Sequence, residues 1–121
     1  MNNIMYDVLA DRVSILSNED GAIRAEFTLP SDFPPLNGHF PGQPILPGIA
    51  QISLITGILN KAFSKSFTLA TVKRIKFLSP AEPGMKLAVS IQFDHGNANA
   101  EITADDKRIS SMKLIYSPEA V

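Results

Sequence analysis

Gly38-His39-Phe40-Pro41-Gly42-Gln43-Pro44-Ile45-Leu46-Pro47-Gly48, followed at once by Ile49-Ala50-Gln51-Ile52-Ser53-Leu54-Ile55-Thr56-Gly57-Ile58-Leu59, is the stretch on which the fold turns. Its first half holds one histidine, three glycines and three prolines. Proline fixes φ, and glycine permits positive φ and close backbone approach, so the spacing predicts a stiff loop that holds His39 in one place. Its second half is apolar and carries no charge before Lys61, the pattern of a buried helix over 49–63. Pro47-Gly48 stands where that helix begins, and the N–H groups of a first helical turn have no partner within the helix. A held base beside a set of open N–H donors is the outline of an active site.

On the N-terminal side, Asn18-Glu19-Asp20-Gly21 is a turn signal between a short candidate strand, Arg12 to Leu16, and a clear one. In the clear one Ile23, Ala25, Phe27 and Leu29 alternate with Arg24, Glu26 and Thr28, as in a half-buried strand. Residues 30–47 hold six of the nine prolines and read as an irregular crossover whose length suggests function. On the C-terminal side four more strands are expected: Leu69 to Leu78, Leu87 to Phe93, Ala98 to Thr103 and Arg108 to Tyr116. Pro80 to Gly84, Asp94 to Asn97 and Asp105 to Lys107 supply the turns, and short turns make sequential strands antiparallel. Two strands, a buried helix and four strands describe an α+β fold in which an antiparallel sheet curls around one central helix.

The composition fits that picture. The chain has 121 residues, 45% of them hydrophobic, which suits one domain spanning 1–121 with a single core. A formal net charge of −1 argues against a general nucleic-acid or anionic-membrane binder. There is no cysteine, and the only imidazoles are His39 and His95, so no metal site is expected. No basic start followed by an apolar core marks a signal peptide, and the run after Gly48 is too short to span a bilayer. A cytoplasmic protein is the expectation.

The loop and helix, GHFPGQPILPGIAQ over residues 38–51, resemble the hot-dog fold and, within it, the β-hydroxyacyl–acyl-carrier-protein dehydratases. A second block agrees: the basic strand Val72-Lys73-Arg74-Ile75-Lys76-Phe77-Leu78, then Pro80 and Pro83-Gly84. The resemblance covers most of the chain. It implies dehydration of 3-hydroxyacyl thioesters to 2-enoyl thioesters, on acyl carrier protein or coenzyme A, with no cofactor. It also implies a homodimer, in which neighbouring central helices would bury their apolar faces. Nothing in the sequence speaks separately for a trimer of dimers.

The reaction removes a proton from C2 and expels the C3 hydroxyl as water. A histidine, with an ordinary pKa of about 6.5, suits the base, and the resemblance gives that role to His39. The Gly48 N–H suits the thioester oxygen as charge builds on it. The resemblance implies that the acid comes from the opposite subunit of the dimer, as an Asp or Glu five residues after the Pro-Gly glycine, and here that residue is Ser53. No acidic residue lies between Gly42 and Glu82. Asp32, Glu82 and Asp94 are the candidate replacements, Asp32 the nearest in sequence, though Ser31-Asp32 also reads as an ordinary turn.

Phe40, Gly42, Pro47, Gln51 and Phe77 are candidate substrate-binding residues. Arg74 and Lys76 share one strand face and are candidate contacts for an acidic carrier protein, or a solvated edge. Two rival readings stand beside the dehydratase. One is a non-catalytic acyl-thioester binder, favoured by the serine at 53. The other is a hot-dog thioesterase, which the missing carboxylate disfavours.

Overall fold

The computed structural model describes residues 12–29, 48–82 and 84–117. The expected element order is present: β1 (Ser14–Glu19), β2 (Ala22–Thr28), α1 (Gly48–Phe63), β3 (Thr68–Phe77), β4 (Lys86–Asp94), β5 (Asn97–Ala104) and β6 (Lys107–Ser117). The six strands form one antiparallel sheet in the order β1-β2-β4-β5-β6-β3, which with α1 is the hot-dog fold. Among the described residues no helix is long and apolar enough to cross a membrane.

Three hairpins set the register. Asp20-Gly21, His95-Gly96 and Asp105-Asp106 are two-residue turns with positive φ at both positions. That geometry matches the right-handed twist of the flanking strands. At Gly21 a side chain is also excluded by space, since a Cβ there would overlap the Phe93 carbonyl oxygen. The first strand lies later than expected, at 14–19 instead of 12–16. The turn needs only Asp20 and Gly21, so Asn18 and Glu19, which look like turn residues, pair with Ile23 and Ala22. His95 is a turn residue, as its neighbours suggest, with its side chain in solvent.

The core forms between α1 and the inner face of the sheet. Leu54, Ile55, Ile58 and Leu59 are fully buried, with Phe27, Leu87, Ile91 and Ile102 facing them from the strands. Thr56 Oγ1 donates to the Ile52 carbonyl at 3.1 Å, so its one proton is used there. Tyr116 Oη on β6 therefore donates to Thr56 Oγ1, at 2.7 Å, and stitches helix to sheet. The helix stops at Ser64, which turns left-handed at φ 53°. Asn60 Oδ1 then accepts from the Phe67 N–H at 2.9 Å and closes that end.

This burial changes the argument for a dimer. From Ala50 to Leu59 every helix residue except half-buried Ile52 is already buried within the chain, so α1 keeps little apolar face for a second helix. The uncovered apolar side chains lie elsewhere. Among the described residues they are Leu16 on β1, Ile49 at the helix start, and Val72, Phe77 and Leu78 on or beside β3, each 44–58% exposed.

Candidate active site

Of the residues singled out in the sequence, His39, Phe40, Gly42 and Pro47 lie outside the described residues, as does Asp32. Gly48, Gln51 and Ser53 fall on α1, and Arg74, Lys76 and Phe77 fall on β3, with Phe77 on the opposite face of the strand from the two cations.

Gly48 opens α1, and the Phe77 ring lies directly over it. A Cβ at residue 48 would sit 2.6 Å from Phe77 Cζ, inside van der Waals contact. The backbone here is not left-handed, so a side chain at 48 would meet the far end of the Phe77 ring, which would have to shift, and no limit of turn geometry. The arrangement leaves the first N–H groups of α1 unshielded by a side chain at 48. Phe77 remains 56% exposed and Ile49 58%, so the helix start is rimmed by apolar surface.

Gln51 and Ser53 sit in the first two turns of α1 and are 3% and 1% exposed. The buried Ser53 Oγ meets no hydrogen-bonding partner among the described residues. α1 carries no acidic residue, so the position that the resemblance assigns to the acid is a buried hydroxyl. Of the replacement acids, Glu82 is exposed, and Asp94 ends β4 with its carboxylate 3.4 Å from His95 Nε2.

A second buried hydroxyl was not legible in the sequence. Ser110 pairs directly with Phe77 across β3 and β6, and its Oγ has no partner among the described residues. It shares the inner face with Met112, Leu114 and Tyr116. A polar residue in that alternation is the only sequence signal for it. A buried hydroxyl left without a partner costs about 1–3 kcal/mol, so Ser53 and Ser110 stand out among the described residues.

Arg74 and Lys76 are both exposed and share the outer face of β3, as alternation requires. Arg74 stands opposite Lys113 and Lys76 opposite Ser111, on the far side of the sheet from Phe77. Among the described residues no group of three or more His, Asp or Glu side chains is placed to hold a metal.

Residues 15–113 match the ApeI-like family, described as ApeI dehydratase. A 3-hydroxyacyl-[acyl-carrier-protein] dehydratase, FabZ, of Oenococcus oeni is 28% identical over 122 residues, covering 90% of this chain and 86% of that protein. Among solved structures, the dehydratase heterocomplex ApeI:P from Xenorhabdus doucetiae superposes with a TM-score of 0.76. It is 23% identical and covers 87% of this chain and 97% of that one. The PaaI protein of Escherichia coli, from a phenylacetic acid degradation operon, gives a TM-score of 0.71 at 21% identity, covering 95% and 91%. The last two likenesses speak for the fold alone.

Proposed function

We propose, from the premise that this chain belongs to the ApeI-like dehydratase family, that it dehydrates 3-hydroxyacyl thioesters to trans-2-enoyl thioesters. The substrate would be borne by acyl carrier protein or coenzyme A, in the cytoplasm, during fatty-acid or related acyl-chain synthesis. The observation that carries this is the helix start. In the sequence the His39 segment leads straight into Gly48, which brings no side chain to the helix start, and Phe77 and Ile49 rim that start.

The chemistry divides among few groups. The His39 imidazole takes the C2 proton. The Gly48 N–H donates to the thioester oxygen as the enolate forms, a contribution of the kind worth about 3–4 kcal/mol at other oxyanion sites. The C3–O bond then breaks, and the oxygen must gain a proton to leave as water. The imidazolium just formed at His39 can return that proton on the same face of the substrate, which balances the reaction without a carboxylate. Ser53 positions a hydrogen bond where the acid would stand, but has no proton to release near pH 7. Losing a general acid costs roughly 10²–10⁴ in rate, so the chain is expected to be a slow dehydratase.

A second subunit is part of the proposal. The exposed apolar side chains of Ile49, Val72 and Phe77 are the surface it would cover, in a homodimer or in a mixed pair like the heterocomplex named above. In a mixed pair the other chain is free to supply the acid. A second reading, a non-catalytic acyl-thioester binder, is favoured by one observation, the absence of any acidic residue on α1.

The test is hydration and dehydration of 2-enoyl and 3-hydroxyacyl thioesters by the purified chain, with His39→Ala beside it. Slow turnover lost in His39→Ala is expected. Tight thioester binding without turnover would select the binding reading, and hydrolysis of the thioester would select a thioesterase.

A further inference from the structure

The outer face of the sheet carries a groove of about 480 Å³ that the reaction does not use. Its side chains stand in two rows across four strands. Gln92, Asn99, Lys113 and Arg74 are successive partners on β4, β5, β6 and β3. Ser90, Glu101, Ser111 and Lys76 form the next row, two residues along. All eight line the groove, with Arg108 at one end.

The charges in it are unbalanced. The one carboxylate, Glu101, is occupied by Arg108 at 3.5 Å. Arg74, Lys76 and Lys113 meet no carboxylate among the described residues, and Arg74 and Lys113 stand directly opposite each other. Like charges in that relation destabilise a sheet. Edge protection explains a lysine at Lys76, on the end strand, but not Lys113, which lies on β6 between two paired strands. Serine, asparagine and glutamine line the groove between the charges and suit hydrogen-bonded anionic groups, while Leu78, Ala100 and Met112 complete its lining.

We propose that this groove docks the acidic face of the protein that carries the acyl group. The inference rests on the thioester reading above and adds the recognition surface and its residues. The placement fits delivery. Lys76 and Phe77 are consecutive on an end strand, so the groove and the helix-start rim are separated by the thickness of one strand. Three uncompensated cations match a protein surface of clustered carboxylates and raise its rate of encounter.

The experiment measures binding, so its outcome is separate from that of the activity assay. Fluorescently labelled acyl carrier protein is titrated with the wild type and with the triple variant Arg74→Glu, Lys76→Glu, Lys113→Glu. A control triple, Arg12→Glu, Lys65→Glu, Lys107→Glu, makes the same change of net charge at exposed residues outside the groove. An unchanged thermal midpoint certifies each fold. Affinity should fall about tenfold or more in the groove variant only, with a salt dependence in the wild type that the variant loses. Equal weakening by both triples, or no weakening by the groove variant, overturns the proposal. Groove-dependent binding to phosphatidylglycerol vesicles in place of the carrier protein overturns it as well. Carrier binding without turnover would leave the docking surface standing and remove the dehydratase reading.

Discussion

The two faces of β3 differ more than any other pair of surfaces in the molecule. Inward, Leu69, Val72, Ile75 and Phe77 pair with Tyr116, Leu114, Met112 and Ser110, an apolar strip broken by one buried hydroxyl. Outward, Arg74 and Lys76 pair with Lys113 and Ser111 over polar neighbours. One strand at the end of the sheet thus serves two solvents. It lends an aromatic ring to the helix start on one side and cations to open water on the other. The lesson is economy of position: strand alternation places an aromatic rim and a cationic face a single residue apart.

That contrast is open to attack, most forcefully in the core. Met112→Ala on the inner face, at a residue 3% exposed, should cost about 2–5 kcal/mol of unfolding free energy in urea titrations. The neighbouring Lys113→Ala, on the outer face, should change it by no more than about 0.5 kcal/mol. Similar losses in the two variants would erase the distinction between the faces. A smaller effect is expected at the strut between helix and sheet. Tyr116→Phe removes the donor to Thr56, which keeps its own bond to Ile52, and should lower stability by about 0.5–1.5 kcal/mol. The smallest change comes from the buried hydroxyls. Ser53→Ala and Ser110→Ala each delete a buried oxygen that has no partner among the described residues. Thermal melts of both should match the wild type within about 0.5 kcal/mol or show a gain. A loss above 1–2 kcal/mol at either would mean that the hydroxyl holds the fold together.

Much of this was legible in the residues. The charge-free run after Gly48 announced the helix, alternation announced five of the strands closely, and the sharing of one face by Arg74 and Lys76 followed from their spacing. The misplaced first strand shows one limit: Asn18 and Glu19 look like turn residues, but a two-residue turn leaves them to the ladder. The contact of Gly48 with Phe77 joins residues far apart in the chain, and no local pattern announces it. The same holds for Ser110, whose importance comes from its strand partner, and for Lys113, which completes the basic groove only once β3 lies beside β6. Periodicity fixes which face a side chain takes, but topology decides what that face meets.

Under the proposed function, residue 53 is the acid position of a thioester dehydration site, and serine there makes turnover slow. The most direct measurement is the turnover of a 3-hydroxyacyl thioester by Ser53→Asp against the wild type, in protein shown to be folded. The account predicts a rise of about 10²-fold or more that disappears when His39→Ala is added. A folded Ser53→Asp protein with no gain, or a gain that survives His39→Ala, would contradict it.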